Sequence, residues 1–564
     1  MTRQPLLYRT AAALLVAGSL QLAALPAAIA QSNDNAPLAV ELPGSGDYSR
    51  SISTDSTRAQ QFFDQGLRMA WGFYFPESIA SYQEAARHDP DSPMVWFGMA
   101  HAMGPNPNSR YANMPDDPQG EGLKAIERAM ELIDNGSQRE QDMIRALYVL
   151  YNKDAIPDDS ERDYAYLDAM AELHERYPDD PDIATLYAAA YMSMGRWDYW
   201  NEDGSARAGT ARAQAALEQA MRVEPFHPGA NHLYIHLMEA STQPELAMTS
   251  AQRLERTAPI AGHMVHMPGH IYVRVGEYEK AINTNIRSQE VDKQFADIWG
   301  DTNFPMIGTY PLSHRIHSGH AQDFVRYAAS LQGNYALSAE TAEAGASSVE
   351  PGSSGGRGQK RVASAWLIDK IFGQWDTILD KQQSHDGTAY LDGMWQYVTG
   401  SARANIGDID RAEDALAEIR RLAEHESADQ SSAGPTPVSH ILRLAAAGLE
   451  GEIAEARGDL DAAIAAYEQA VALEDQNNYT EPPDWPQSMR LYLGAALLEA
   501  GEAEQAEAVY RRDLEWNQRN GWATFGLAQA LEAQGKQHDA DIVWRQFETL
   551  WRNADVELER SRLY

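Results

Sequence analysis

Cysteine is absent from the 564-residue sequence. This absence excludes disulfide bonds, thiolate metal ligands and cysteine nucleophiles together. Any metal site in the chain must therefore be built from nitrogen and oxygen ligands. The sequence supplies both kinds, because it contains 16 histidines and 82 acidic residues.

Basic residues are also scarce. Only 46 lysines and arginines stand against the 82 acidic residues, which gives a formal net charge of -36 at pH 7. A protein of this charge repels nucleic acid and anionic lipid surfaces and attracts cations. We therefore expect no nucleic-acid partner, and the charge favours a metal ion or another cationic ligand.

Long apolar runs are confined to the N-terminus. Arg3 and Arg9 precede the apolar stretch AAALLVAGSLQLAALPA, and the sequence AIA, typical of a cleavage site, ends at Ala30. This pattern predicts a Sec-type signal peptide over residues 1–30, cleaved after Ala30, and a periplasmic mature protein. No later run reaches the roughly 20 apolar residues that cross a bilayer, so we expect no membrane insertion.

A repeated pattern of small and apolar residues covers most of residues 58–550. The segment GEYEKAINTN recurs in the same phase as GDLDAAIAAYEQAVALED, GEAEQAEAVYRRDL and GDIDRAEDALAEI, and Gly501 and Gly535 lie 34 residues apart. These segments resemble the tetratricopeptide repeat, a helix-turn-helix unit of 34 residues. The resemblance implies an all-α, right-handed α-solenoid in which the first helix of each unit, helix A, lines the concave side.

The repeats are predicted to form two arrays. The segment AGASSVEPGSSGGRG is too small and polar to pack, and it indicates a flexible linker at residues 344–359. The N-terminal array then spans residues 58–343 and the C-terminal array spans 360–564. Residues 31–57 precede the first repeat and are expected to be disordered.

The segment AGHMVHMPGHIYVRVGEYEKAI concentrates histidines in one repeat. His263, His266 and His270 take the second, fifth and ninth positions of its helix A, and His232 and His236 take the fifth and ninth positions of the preceding unit. A spacing of four places two imidazoles on one helical face. Neighbouring helices pack about 8–10 Å apart, so imidazoles from both can converge on an ion with bonds of about 2 Å.

Two further segments are predicted to contribute ligands. Glu239 follows His236 by three residues. The segment SHRIHSGHAQDF contains three histidines, and His317 and His320 are predicted as ligands together with Asp323. Carboxylates at such positions serve as oxygen ligands or orient the imidazoles. The predicted metal ligands are His232, His236, Glu239, His263, His266, His270, His317, His320 and Asp323.

A site of imidazoles suits copper, zinc, nickel or non-haem iron. The cofactor expected from the sequence is therefore a transition metal ion: copper, zinc or iron. The sequence leaves open which metal and how many ions bind. It also leaves open whether the site is catalytic, with a coordination position free for water or dioxygen, or serves storage or delivery.

The alternative hypothesis is a scaffold without metal. Tetratricopeptide arrays commonly bind an extended peptide in their groove, and the partner here would be an exported protein or its C-terminus. On that hypothesis the histidines hydrogen-bond acidic neighbours or line the peptide groove. Peptide-carboxylate clamps present Lys, Arg and Asn, whereas the two repeats in question present His and Glu, which favours metal.

Overall fold

The computed structural model describes residues 37–108, 117–201, 203–299, 318–350 and 356–563. Throughout these ranges the regular structure is helical, and an isolated β-bridge joins Trp200 and Ala206. The prediction of an all-α chain is confirmed. No helix among the described residues is both long enough and apolar enough to cross a membrane.

The helices follow one another in antiparallel pairs joined by short turns, as in tetratricopeptide repeats. The first fifteen are α1 (Thr57–Trp71), α2 (Phe75–His88), α3 (Pro93–Ala102), α4 (Pro118–Glu131), α5 (Gln138–Tyr151), α6 (Asp159–Arg176), α7 (Pro181–Met194), α8 (Thr210–Val223), α9 (Pro228–Met238), α10 (Met248–Thr257), α11 (Gly262–His266), α12 (Pro268–Arg274), α13 (Tyr278–Trp299), α14 (Ser318–Leu331) and α15 (Tyr335–Ser347). The next eleven are α16 (Arg357–Ile371), α17 (Trp375–Asp380), α18 (Ala389–Asn405), α19 (Ile409–Ala423), α20 (Glu426–Gln430), α21 (Val438–Ala456), α22 (Leu460–Glu474), α23 (Met489–Glu499), α24 (Ala503–Trp516), α25 (Gly521–Ala533) and α26 (Gln537–Leu550). Two short 3-10 helices span Ile133–Asn135 and Pro244–Ala247.

Glycines with positive φ mark the turns inside the repeats. Gly276, Gly333, Gly501 and Gly535 have φ of 74°, 72°, 85° and 72°. A residue with a side chain is strained in this left-handed region, so glycine fixes the turn and therefore the phase of the repeat. The helix-turn-helix repeat indicated by these glycines is confirmed at all four positions.

Close helix packing explains other small residues. A Cβ added to Gly66 of α1 or to Gly98 of α3 would lie 2.8 or 2.4 Å from the ring of Tyr82, which belongs to α2. The ring of the second helix therefore packs directly on the backbones of the two helices beside it. The same arrangement recurs around Tyr510 in the C-terminal array. Glycine at these sites lets a large aromatic ring fill the interhelical space without a gap.

The hydrophobic interior divides into two cores. One includes buried residues from Ala39 to Leu331, and the other begins at Ala342 and extends to Ala540. The boundary between the two cores therefore lies before the predicted linker at residues 344–359. The first four residues of that predicted linker belong to α15, which ends at Ser347. Small residues such as those in this stretch are compatible with a helix once a neighbouring helix covers it.

The segment before the first repeat is packed where the structure describes it, which differs from the expected disorder. The backbone N–H of Leu42 donates to Gln65 at 2.8 Å, and both groups are buried. The guanidinium of Arg50 lies 2.9 Å from Asp180 and 2.8 Å from Asp182. Repeat periodicity gives no sign of these contacts, because they depend on backbone groups and a single arginine.

The C-terminal array folds back onto the N-terminal one. The indole of Trp522 in α25 donates to the carbonyl of Ser330 in α14 at 2.9 Å. The guanidinium of Arg274 in α12 lies 3.7 Å from the ring centre of Trp516 and donates to the Trp516 carbonyl at 2.8 Å. These contacts bring the second array against the helices that carry the histidines.

Candidate metal centre

Three helices of the N-terminal array carry five of the predicted histidine ligands. His232 and His236 lie one turn apart in α9, His263 and His266 in α11, and His270 in α12. All five are at most 4% exposed. They therefore form a buried cluster inside the protein, where the sequence led us to expect a row on an open concave surface.

A proline and two glycines set the local path of α11 and α12. Pro268 has no N–H to continue the helical hydrogen bonding, so the two short helices meet at Met267. A Cβ on Gly269 would lie 2.4 Å from Asn285, and one on Gly262 would lie 2.0 Å from Asp292. Both glycines thus allow close approach to α13, and the interruption sets the relative positions of the histidines on either side of it.

The first group of potential ligands consists of His232, His236 and His263, which we call the first triad. One ligand atom from each lies within 4.8 Å of the others. The ring centres of His232 and His236 are 4.9 Å apart, as are those of His232 and His263. The Nε2 atoms of His232 and His263 are 3.1 Å apart.

The second triad consists of His266, His270 and His320. One ligand atom from each of these also lies within 4.8 Å of the others. The ring of His266 lies 4.7 Å from that of His270 and 4.8 Å from that of His320. The Nε2 atoms of His266 and His270 are 2.8 Å apart. His320 comes from α14 and is half-buried, so it is the most accessible histidine of the cluster.

Neutral oxygen acceptors orient one ring in each triad. Nδ1 of His232 lies 2.5 Å from the carbonyl oxygen of Trp71, which can only accept, so Nδ1 carries the proton. Nδ1 of His266 lies 2.5 Å from Oδ1 of Asn285, whose own amide nitrogen donates to Ala281 at 2.7 Å. In both rings the lone pair is therefore on Nε2, which faces the other histidines.

Glu239, at the end of α9, contacts both triads. Its Oε1 accepts from Nδ1 of His236 at 2.9 Å, and its Oε2 accepts from Nδ1 of His270. The indole of Trp197 also donates to this fully buried carboxylate, at 2.5 Å. Burial alone would raise the pKa of Glu239, but His270 and His236 hold it well below its ordinary value. Glu239 is therefore an anion that fixes the orientation of one ring in each triad.

The C-terminal array contributes Glu481, which the sequence reading missed. This residue lies in the loop between α22 and α23, and its Oε2 is 2.7 Å from Nδ1 of His270. Burial, followed by the charge of Glu239, raises the pKa of Glu481. Burial would lower the pKa of His270, but the two carboxylates raise it to about 10. In the protein without an ion His270 is therefore an imidazolium, whose second proton lies toward His266.

Aromatic rings enclose the cluster. The ring centre of Phe73, a residue with φ of 63°, is 4.4 Å from His232 and 5.5 Å from His263. The ring centre of Phe324 is 4.6 Å from His270. Burial, together with the charge of His236, lowers the pKa of His232 well below its ordinary value. His232 is thus kept neutral, the form that coordinates a metal.

The structure brings together most of the predicted ligands. Seven belong to the groups of potential ligands: His232, His236, Glu239, His263, His266, His270 and His320. Among the described residues Asp323 belongs to none of these groups, because its carboxylate accepts a hydrogen bond from Arg361 of α16 at 3.3 Å. His317 lies outside the described residues.

The spacing of the inward nitrogen atoms suits metal coordination. Two nitrogen atoms bonded at about 2.1 Å to one tetrahedral ion lie roughly 3.4 Å apart, and at right angles they lie roughly 3.0 Å apart. The Nε2 pairs at 3.1 and 2.8 Å are close to these separations. Two unprotonated Nε2 atoms at such distances repel each other unless a proton or a cation lies between them. The cluster is therefore chemically suited to a divalent cation.

Comparison with known proteins gives little further guidance. No protein-family model matches the sequence, and no curated protein matches it. A structure of the human IFIT1 dimer with m7Gppp-AAAA is 10% identical, with 81% of this chain and 90% of that one covered and a TM-score of 0.33. Yeast Tom70 is 12% identical, with 87% and 92% covered and a TM-score of 0.30. At these TM-scores neither alignment bears on the function of this chain.

Proposed function

We propose that this helical-repeat protein binds a transition metal through the buried histidine cluster. The observation that carries the proposal is the orientation of the rings. Nδ1 of His232, His236, His266 and His270 each meets an oxygen acceptor. Nε2 of His232, His266 and His270 in turn faces the Nε2 of another imidazole. Ligating histidines in metalloproteins are held in this way by carbonyl and carboxylate oxygens on their second nitrogen.

A purely structural role accounts poorly for the same arrangement. Buried polar groups in a structural network are paired with complementary partners, because an unpaired one costs roughly 1–3 kcal/mol. Here Nε2 of His236 is buried without a hydrogen-bond partner among the described residues. The Nε2 pairs of the two triads place imidazole against imidazole. A bound cation would give Nε2 of His236 a partner, and it would take the place of the second proton of His270, which lies toward His266.

The ligand set narrows the choice of metal. Imidazole nitrogen with carboxylate oxygen and no thiolate suits copper(II), zinc or iron(II), and copper(II) binds such ligands most tightly among the divalent ions of the first row. Calcium and magnesium prefer oxygen ligands, so they do not match a site of this composition. Metal identity in the cell also depends on availability, and we leave it to elemental analysis.

We also propose that the protein is exported. The N-terminal pattern up to Ala30 supports removal of a signal peptide, and the lack of cysteine suits an oxidising compartment. N-terminal sequencing of the protein from its native host is expected to begin at Gln31. Recovery of the chain with Met1 or Thr2 at its start would contradict export with cleavage.

The metal proposal is tested by elemental analysis of purified protein. The wild type should carry at least one transition metal ion per chain, and the variant His236→Ala/His270→Ala should carry none while its helical circular dichroism is retained. Exposed His425 lies outside the cluster, and His425→Ala is the matched control that should keep the metal. A wild type without metal, even after incubation with copper(II) and zinc, would favour the scaffold instead, which then predicts binding of an exported peptide.

A further inference from the structure

We propose that the cluster holds two metal ions, one in each triad, with Glu239 between them. This inference rests on the proposed metal-binding function and specifies how the site is built. It assigns His232, His236 and His263 to one ion and His266, His270 and His320 to the other. The proposal follows from the grouping of the ligand atoms, the position of the carboxylates and the charge that these supply.

The grouping of ligand atoms is the first argument. Three nitrogen atoms bound to one ion at about 2.1 Å can lie no more than roughly 4.2 Å apart. Each triad has ligand atoms within 4.8 Å of one another, so displacements of less than an ångström would bring them onto one ion. In the described part of the chain Glu239, His270 and Glu481 form a third group with ligand atoms this close together, and it shares His270 with the second triad. A single ion could satisfy one triad and would leave the other without a cation.

The position of Glu239 is the second argument. Its two oxygens are divided between the triads: Oε1 contacts His236 of the first, and Oε2 contacts His270 of the second. The ring centres of these two histidines are 5.7 Å apart, and those of His263 and His266 are 5.8 Å apart. The triads are therefore neighbours. Ions bound in them would lie a few ångströms apart and share one buried carboxylate in their surroundings.

Charge is the third argument. Two divalent ions bring four positive charges into a buried space, and isolated charges are strongly unfavourable there. The buried carboxylates of Glu239 and Glu481 offset two of them, and both lie beside His270. The remaining charge would be offset by small anions bound to the ions. This predicts hydroxide or another small oxygen ligand bridging the pair.

The ligand count defines what such a pair would bind. Three imidazoles leave at least one coordination position on each ion for an exogenous group. Two metal ions a few ångströms apart can bind the two atoms of a diatomic ligand, one on each ion. They can equally bind the two oxygens of a small carboxylate. The aromatic rings of Phe73 and Phe324 limit the space around the triads, and His320 alone is half-buried. The predicted ligand class is therefore a small oxygen donor, such as hydroxide, dioxygen or a small carboxylate, reaching the pair from the side of His320.

The experiment uses copper(II) as the probe on the full-length purified chain. After loading and removal of free copper by gel filtration, the wild type is expected to hold two copper ions per chain. His236→Phe should remove one ion and leave the second triad, and His320→Phe should remove the other. The ring of phenylalanine preserves most of the volume of the replaced imidazole. The His425→Ala control should retain two ions.

Electron paramagnetic resonance of the loaded wild type gives a readout that needs no variant. Two copper(II) ions a few ångströms apart couple magnetically, so the signal should be weaker than the copper content or should show a half-field line. One copper per chain with the full signal of an isolated ion would overturn the two-ion inference and leave the proposed metal binding intact. Loss of both ions from each single variant, with the fold retained, would also overturn it. No copper in the wild type would instead refute metal binding itself.

Discussion

The two arrays both bury charged groups, but they satisfy them differently. In the C-terminal array the Nζ of Lys370, which is 3% exposed, lies 2.8 Å from Glu452 and 2.8 Å from the hydroxyl of Tyr492. The same cation lies 4.7 Å from the ring centre of Tyr397. One positive group thus meets one carboxylate and two aromatic rings. The network thus pairs a buried cation with a buried anion, although Oε2 of Glu452 has no hydrogen-bond partner among the described residues.

The N-terminal array clusters six histidines, five of them buried, with its own Glu239, and it receives Glu481 from the other array. There imidazole faces imidazole. The two regions share the same repeat architecture, so the fold alone does not require the cluster. The comparison teaches that burial of polar residues is not itself a sign of a binding site. What distinguishes the two regions is the kind of pairing: a buried cation meets a buried anion in the C-terminal array, whereas imidazole meets imidazole in the N-terminal cluster.

The largest expected effect concerns the buried ion pair between Lys370 and Glu452. Lys370→Met leaves Glu452 buried without its cation, and we expect the free energy of unfolding to fall by about 4 kcal/mol, as is typical of broken buried ion pairs. Denaturant unfolding measures this change. The double variant Lys370→Met/Glu452→Leu should recover most of the loss. Metal content should be unchanged in both, and a loss of metal would show that the two networks are not independent.

Another buried carboxyl, that of Glu77, makes the stability of the N-terminal array depend on pH. Glu77 in α2 is 1% exposed, and burial, with a contribution from Asp292, raises its pKa from 4.5 to about 8. The folded protein therefore keeps a proton that the unfolded chain loses near pH 4.5. The stability that this proton contributes is fully present below that pH and is lost as the pH rises through about 8.

Glu77→Gln removes this dependence. In metal-free protein we expect the variant to be more stable than the wild type at pH 9 by on the order of 3 kcal/mol, with a much smaller difference near pH 4.5. Thermal unfolding at a series of pH values checks this, with Glu131→Gln, whose side chain is 66% exposed, as the control. An unchanged pH profile would mean that Glu77 is ionised in the folded protein.

The gain in stability on metal binding should depend on the histidine cluster of the N-terminal array and not on the ion pair of the C-terminal array. A metal that binds only the folded chain stabilises it by about 2.7 kcal/mol at a concentration of 100 times Kd. We expect this increase in the wild type and in Lys370→Met, and none in His236→Ala/His270→Ala. Denaturant unfolding with and without copper(II) measures it. An equal increase in the double variant would place the metal elsewhere on the protein.

The smallest expected effect concerns the carboxylate that links the arrays. Glu481→Gln keeps the size of the side chain and removes its charge beside His270. Metal affinity should fall about tenfold, or about 1.4 kcal/mol, as is usual when a group that supports a ligand is replaced. Competition with a chelator of known affinity measures this. An unchanged affinity would show that the C-terminal array covers the cluster without taking part in binding.

The fold was largely predictable from the sequence because its periodic signals are local. Turn glycines such as Gly276 and Gly501 set the phase of the helices wherever they occur. The packed segment around Leu42 and Arg50 was not predictable in this way. Its contacts with Gln65 and Asp180 follow no period, so composition suggested disorder where the structure has a buried segment.

The cluster was predictable in membership but not in grouping. The repeat phase aligns His232 with His266, and we expected both pairs to meet at one centre. In the structure Nε2 of His232 is instead 3.1 Å from that of His263, which stands three residues before His266 in α11. Glu481 could not be predicted from the repeats, since its contact depends on how the second array folds back.

This fold-back has a consequence for the order in which the site is made. All six clustered histidines have been synthesised once His320 is added, but Glu481 follows 161 residues later in the chain. At usual rates of synthesis that interval is roughly 8 to 30 seconds. During it the nascent chain carries the complete set of imidazoles with no second array to cover them. A chain that stops short of the C-terminal array would keep the cluster open permanently, so only a finished molecule encloses the histidines.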